Sequence, residues 1–311
     1  MKALREAFGL WLDSGRAPSG GADEERVDWV RIIPFIGLHL ACLAVFWVGF
    51  SPIAFAVFVG SYLVRMFAIT AFYHRYFAHR TFRAGRVAQF LFAALGATAT
   101  QRGPLWWAAH HRRHHKTADT GADPHSPRHG FLWSHMGWFL SRRHLATEAE
   151  QIPDLVRYPE LRWLDRYDFA LPILYAVAMF GLGWALGVWA PGLGTDGWQM
   201  LVWGYFLSTV ALIHVTLTIN SLAHVVGSRR YATRDDSRNN WLLALLTLGE
   251  GWHNNHHHYP GSARQGFYWW EIDISYYVLR LMAALGVISD LRGVPPEVRD
   301  ARRVEAPERP S

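Results

Sequence analysis

Long uncharged stretches alternate with histidine- and arginine-rich ones along this chain. Residues 32–64, 169–194 and 199–219 contain no Lys, Arg, Asp or Glu. A helix that crosses a bilayer needs about 20 apolar residues, so the pattern predicts four spans, at roughly 32–50, 53–73, 169–190 and 198–219. The turns GFSP (49–52) and PGLGTDG (191–197) pair them into two hairpins. Apolar stretches at 87–100 and 241–248 are too short to span. The N-terminal MKALREAFGLWLDSGRAP intersperses charges among its apolar residues, which predicts an amphipathic surface helix rather than a signal peptide. The residues after Leu291 are polar and loose.

Averages hide this pattern. Mean hydropathy is only +0.02, because 31 Lys and Arg, 25 Asp and Glu and 17 His offset the apolar runs. Apart from Arg65, every basic residue lies at the N-terminus, in 74–167, or after 228. The positive-inside rule makes those regions cytoplasmic, with both termini inside. The net charge of +6 then belongs to one basic face. Such a face suits anionic headgroups or an acidic partner, while nucleic acid is a poor fit for a membrane-embedded chain. Cys42 is the only cysteine, which excludes a disulfide framework, a thiolate zinc site and iron–sulfur ligation within the chain. The run GLGWALG (181–187) lies inside a span with the wrong glycine spacing for a nucleotide loop.

The basic regions hold nearly all the histidine. HRYFAH (74–79) begins where the second span ends, and HRRHH (111–115) follows a short apolar stretch. NSLAHVVG (220–227) begins where the fourth span ends, and HNNHH (253–257) follows another such stretch. H-x-x-H-H puts three imidazoles on one helical face, where each presents a ring nitrogen to a shared metal. His74 and His79 diverge by about 140° on an α-helix, so they reach two metals unless a helix end brings them together. His74, His79, His111, His114, His115, His224, His253, His256 and His257 are too many for one ion. Two ions, each with four or five imidazoles and an open position, fit the number. Imidazole alone does not select the metal. His39 and His214, each alone in a span, read as structural. A soluble di-iron template fails, because Glu250–His253 is the only Glu-x-x-His pair beside a histidine box. The aromatic run FYWW (267–270) reads as interfacial packing.

The sequence resembles the integral-membrane fatty acid desaturases, most closely acyl-CoA desaturases of the stearoyl type and their bacterial members. The resemblance covers about 30–292 and rests on HRYFAHRTF, HRRHHKTADTGADPHSPRHGFLWSHMGW, NSLAHVVGSRRY and GEGWHNNHHHYPGSARQGFYWWEID. It implies an all-α integral membrane protein, with four transmembrane helices in two hairpins and a cytosolic helical cap carrying a histidine-rich di-metal site. Residues 1–30 would be a cytosolic N-terminal segment, 31–292 the membrane domain, and 293–311 a polar tail. It implies two iron ions on the nine histidines, with Asn220 holding one through water. The implied reaction is O2-dependent introduction of a cis, delta-9 double bond into a saturated acyl-CoA. Acyl-lipid and acyl carrier protein substrates remain open, because Ala109 and His110 stand where animal members carry a CoA-contacting Arg–Asp pair. Arg142 and Arg143 match a second CoA-contacting pair, and Tyr62 matches the closed end of the acyl tunnel. Asp123 and His125 match positions that support the ligands or shape their loop. Electrons would come from a separate ferredoxin or b-type cytochrome with its reductase. The implied location is a bacterial inner membrane, with the site cytoplasmic. A membrane hydroxylase or alkane monooxygenase would share the metal site. A metal transporter would place its polar ligands at mid-membrane instead.

Overall fold

The computed structural model describes residues 2–16 and 25–304. Its longer helices are numbered in chain order. An amphipathic α1 (Lys2–Leu12) precedes α2 (Ile33–Val48) and α3 (Pro52–Ala78). The histidine-rich region beyond them contains α4 (Arg86–Ala97), α5 (Pro104–Thr117) and α6 (Pro159–Arg166). A second apolar pair, α7 (Ala170–Trp189) and α8 (Gly197–Ser221), comes next. The chain closes with α9 (Trp241–Leu246), α10 (His253–His258) and α11 (Ile274–Ala284). The last seven residues of the predicted polar tail lie outside the described residues.

Among the described residues three helices, α3, α7 and α8, are long and apolar enough to cross a membrane. The first predicted span, α2, is shorter than the sequence pattern implied. It is an apolar helix of 16 residues, tightened into a 3-10 turn at Cys42–Ala44 and ended by Gly49 at φ +70°. At 1.5 Å per residue it is about 24 Å long, against a hydrocarbon core of about 30 Å.

The two predicted turns meet at one end of the molecule. Gln199 donates to Val48 O (2.8 Å) and Trp203 to Gly49 O (3.0 Å). Around them Phe46, Trp47, Trp189 and Trp198 are exposed, the position of an interfacial aromatic belt. The outer face of α7 exposes Ile173, Leu174, Val177 and Val188. In water such a continuous apolar face would aggregate, whereas lipid covers it at no penalty.

Local chemistry starts these helices. Ser51 caps α3 by accepting from Ala54 N, and Asp196 caps α8 by accepting from Trp198 N and Gln199 N. Arg65 does not snorkel, and it lines neither of the two cavities described below. It is buried and donates to Ser61 O, Thr98 O, Thr209 Oγ1 and Ser208 Oγ, tying α3 to α8 and to the end of α4. Its charge is tolerated among apolar helices because its donors are met by fixed oxygens.

Beyond Phe67 the helix α3 widens into a π-helix, Ala68–Ala78, in which every residue is buried. Phe72 stacks on Phe92 of α4 at 3.9 Å between centroids. Tyr73 lies so close to Gly96 that a Cβ there would sit 2.2 Å from the ring. Each buried Phe contributes about 1.5–3 kcal/mol, so this core fixes the inner end of α3. The antiparallel pair β1 (Arg83–Ala84) and β2 (Ile288–Ser289) fastens the C-terminal region beside it.

Candidate metal centre

The π-helix decides where the first histidine pair points. His79 N donates to His74 O (3.2 Å), an i→i+5 bond. Residues five apart are therefore one turn apart, and the two rings share a face. The strand of carbonyls released at its end is capped by Arg112 of α5, which donates to Phe77 O (2.9 Å) and Ala78 O (2.8 Å). Asp154 holds Arg112 and Arg80 together. α5 is held at its own N-terminus by buried Asp165, which accepts from Leu105 N (3.0 Å), Trp106 N (2.7 Å) and Thr147 Oγ1 (2.7 Å). Burial pushes the Asp165 carboxyl up to about 6.

All nine predicted imidazoles converge, in two groups. One contains His74, His79, His111, His115 and His256, and the other His114, His224, His253 and His257. This corrects the expectation that each H-x-x-H-H serves a shared point. α5 gives His111 and His115 to the first group and His114 to the second. α10 gives His256 to the first, and His253 and His257 to the second. On a helix consecutive residues are about 100° apart, so the last two histidines of a box cannot aim at one point, while i and i+4 can. Two such boxes facing each other therefore build two sites.

In each group the Nε2 atoms face inward. Contacts are 2.8 Å (His79–His111), 2.9 Å (His115–His256), 3.0 Å (His74–His256, His111–His115 and His224–His253) and 3.3 Å (His114–His257). Ligands about 2.1 Å from a common ion lie about 3.0 Å apart at right angles and about 3.4 Å apart at the tetrahedral angle. The observed spacing, 2.8–3.3 Å, is that of ring nitrogens able to share one ion. Buried lone pairs at this distance repel unless a cation lies between them. Burial and the neighbouring imidazoles push His111, His115, His253 and His256 well below the usual range, which keeps them neutral.

Carboxylates hold the outer nitrogens. His114 Nδ1 donates to Asp123 (3.0 Å), His224 Nδ1 to Asp119 (2.8 Å) and His257 Nδ1 to Asp235 (2.9 Å). His74 Nδ1 contacts Glu250, which also pairs with buried Arg75. Each carboxylate fixes the tautomer that leaves Nε2 free to ligate. Only Asp123 was anticipated as such a partner from the sequence. Asp119 sits 105 residues from its histidine, a separation that no sequence spacing reveals.

The remaining predicted residues divide. His125 stacks on His114 at 4.3 Å and approaches Asp123, outside both groups. Asn220 sits one turn before His224 and lines two adjoining cavities. The larger cavity measures about 510 Å³ and the smaller about 40 Å³. They share Trp107, His111, His125, Thr216 and Asn220. Gln101 donates to Thr216 Oγ1 (3.0 Å) at this shared wall. The smaller cavity continues to Met66, Ile69 and Thr247. Tyr62 lines neither, but lies one turn before Met66 and donates to Leu246 O (2.8 Å). Arg142 and Arg143 do not line the larger cavity; they lie against Asp28 and Glu25.

His110 and His258 fall outside both groups. His110 donates to Trp106 O (3.0 Å), while His258 donates to Val298 O (2.8 Å) and stacks on Tyr231. His39 and His214 do not stand alone. His39 Nε2 meets His214 Nε2 (2.9 Å), His214 Nδ1 meets His135 Nε2 (3.0 Å), and His135 Nδ1 meets Ser221 Oγ (3.0 Å).

Comparison with known proteins is consistent with this geometry. Residues 49–287 match the fatty acid desaturase family model. An sn-2 palmitoyl-lipid 9-desaturase of Nostoc sp. (strain 36) is 35% identical over 90% of this chain and 95% of its own length. Delta-9 acyl-lipid desaturase 1 of Arabidopsis thaliana is 37% identical, covering 86% of this chain and 84% of the relative. An acyl-CoA 5-desaturase of Anemone leveillei is 37% identical, covering 88% and 85%.

Proposed function

The chain belongs to the fatty acid desaturase family and is an oxidoreductase of that kind, and from that premise we propose that it places a cis 9,10 double bond in an acyl chain carried on a membrane lipid. The observation that carries the proposal is the sorting of nine imidazoles into groups of five and four beside the wall shared by two cavities. The donor sets fit two iron ions, with Asn220 beside them. Bound there, the irons would supply O2 activation and removal of two hydrogens from adjacent methylenes. The family's acyl-lipid members favour a lipid substrate, and Arg142 and Arg143 do not line the cavity.

This chain's own residues would do the positioning. The larger cavity would take the carboxyl-side half of the acyl chain. Trp107, Gln101 and Thr216 would bend the chain at the shared wall, setting which methylenes lie beside the imidazoles. The smaller cavity would take the methyl-side half, with Tyr62 closing its far end. Asp119, Asp123, Asp235 and Glu250 would hold the ligand tautomers. Four spans in two hairpins, with α2 as the short fourth member, would put the histidines and both termini in the cytoplasm of a bacterial inner membrane. Electrons would arrive from a separate acidic donor docked on the basic face.

Expression in a bacterial host with a ferredoxin and its reductase, followed by lipid analysis, tests the reading. A new 9-monounsaturated chain esterified in membrane lipid is the expected result. A hydroxylated chain would establish the monooxygenase chemistry instead, and product confined to acyl-CoA would overturn the lipid assignment.

A further inference from the structure

The larger cavity is apolar in its depth and cationic at its rim. Arg31, just before α2, and Arg102, just before α5, both line it, as do Asp168 and Ser14. Arg31 is partly buried, and its Nε and Nη2 atoms are enclosed without a hydrogen-bond partner among the described residues. A buried guanidinium donor left unpaired is costly, so these two atoms are open to an acceptor that the described residues do not supply. Arg102 donates to Leu145 O (2.9 Å), and its Nε lies 2.9 Å from Asp168 Oδ2 without hydrogen-bond geometry. Its backbone is left-handed (φ +68°), a strained conformation for a long side chain that aims it at this rim. Asp168 is also engaged by Ser14 (2.8 Å). The neighbouring acids are committed elsewhere, Asp13 to Arg166 and Asp28 to the Arg31 backbone and Arg142. Two guanidiniums thus face one lining carboxylate, leaving a net positive charge.

The location of the rim identifies what brings the acceptor. Its walls are the starts of α2 and α7, and outside them Trp29, Ile33, Ile36, Ile173 and Leu174 are exposed. This is apolar surface of the kind that faces lipid. α1 roofs the opening with Phe8, Trp11 and Leu12, pinned by Trp11 Nε1 donating to Val30 O (2.7 Å). A lipid can slide its acyl chain sideways between α2 and α7 while its headgroup stays at interfacial depth. A CoA ester would have to approach from water.

We propose that Arg31 and Arg102 form a headgroup seat that binds the phosphodiester oxyanion of a membrane phospholipid, whose acyl chain slips laterally from the bilayer into the cavity. Guanidinium is suited to phosphate because its planar fork donates two parallel hydrogen bonds. The proposal rests on the desaturase reading for the fate of the bound chain, but the seat itself can be tested without catalysis.

The test uses purified full-length protein in detergent, with dipalmitoyl phosphatidylglycerol, dipalmitoyl monogalactosyl diacylglycerol and palmitoyl-CoA as probes. Thermal melting reports binding. The phospholipid should raise the melting temperature, and the uncharged galactolipid should raise it much less. Arg31→Gln should weaken the phospholipid response about tenfold in midpoint concentration, with Arg31→Lys restoring part of it and iron content unchanged. In turnover assays the same variant should raise KM for the phospholipid and leave kcat nearly unaltered. Equal stabilisation by the galactolipid would overturn the phosphate assignment. Stabilisation and turnover with palmitoyl-CoA alone would overturn the lipid source. A phospholipid-binding protein that desaturates none of the three would sink the desaturase reading and leave the seat standing.

Discussion

Two histidine constellations lie in this molecule, and they behave oppositely. In the nine-histidine centre, Nε2 atoms from the end of α3, from α5, from the segment after α8 and from α10 crowd two points while carboxylates occupy Nδ1 of four of the rings. In the three-histidine chain His39–His214–His135, both nitrogens of each ring are used by neighbours, and the line ends on Phe35 O at one side and Ser221 Oγ at the other. Phe35 O can only accept, so His39 Nδ1 carries hydrogen, and every tautomer along the neutral line is then set. The first arrangement leaves lone pairs aimed at a common point. The second leaves none. For the four rings held at Nδ1 by a carboxylate, the anchor leaves Nε2 free to ligate, whereas in the three-histidine chain neither nitrogen is free.

The largest expected contrast sets one histidine against the other. His257→Ala removes one of four nitrogens at the second group and should abolish both iron retention there and desaturation. His214→Ala should keep full iron per chain, measured by metal analysis of purified protein. If His214→Ala lost iron as completely as His257→Ala, the distinction would collapse. One step smaller, Asp123→Asn should lower metal affinity by about 10–100-fold while leaving the fold intact, because it frees the outer nitrogen of His114. Competition with a chelator of known affinity would measure this. For the chain, His214→Ala should cost about 1–3 kcal/mol in stability through the nitrogens left unpaired on His39 and His135, visible as a lower denaturant midpoint. His258→Ala and His110→Ala sharpen the rule within a single histidine run. Both should retain iron and most activity, because each ring is committed to a backbone carbonyl rather than to the centre.

The smallest effect concerns the scaffold rather than the ligands. Burial raises Asp154, but hydrogen bonds from Arg112 and Arg80 prevail and hold it at about 2. A depressed carboxylate contributes stability that is present above its unfolded value near 3.8 and is lost as pH falls towards 2. With the side chain 36% exposed, screening limits this to about 1 kcal/mol. Asp154→Asn should therefore lower stability near neutral pH and flatten its decline between pH 4 and 2, followed by acid unfolding of the apoprotein.

The histidine boxes were legible in sequence from their spacing, but their sorting into two groups and the shared face of His74 and His79 were not, and three of the four predicted spans have spanning length. Other features depend on contacts that sequence separation conceals. Asp119 and Glu250 lie inside quoted motifs and Asp235 outside them, but their pairing with His224, His74 and His257 appears only when the chain brings them together. His39 and His214 each look solitary, and 175 residues separate them. The shortness of α2 was hidden because composition sets where charge is absent, whereas Gly49 sets where the helix stops. The rim arginines escaped notice because Arg31 borders an apolar run and reads as a flanking charge.

The widened turn at the end of α3 has a consequence for which sequence changes this protein tolerates. A substitution within Ala68–Ala78 leaves the register of the helix alone, so its effect stays local. Deleting one residue between His74 and His79 would restore ordinary winding there. Everything preceding it, including Arg65 and Met66, would then turn by about 100° relative to the centre. The five-residue interval between those histidines is therefore a length constraint as well as a pair of identities. A mutational scan of this segment should tolerate many conservative replacements and no single-residue deletion.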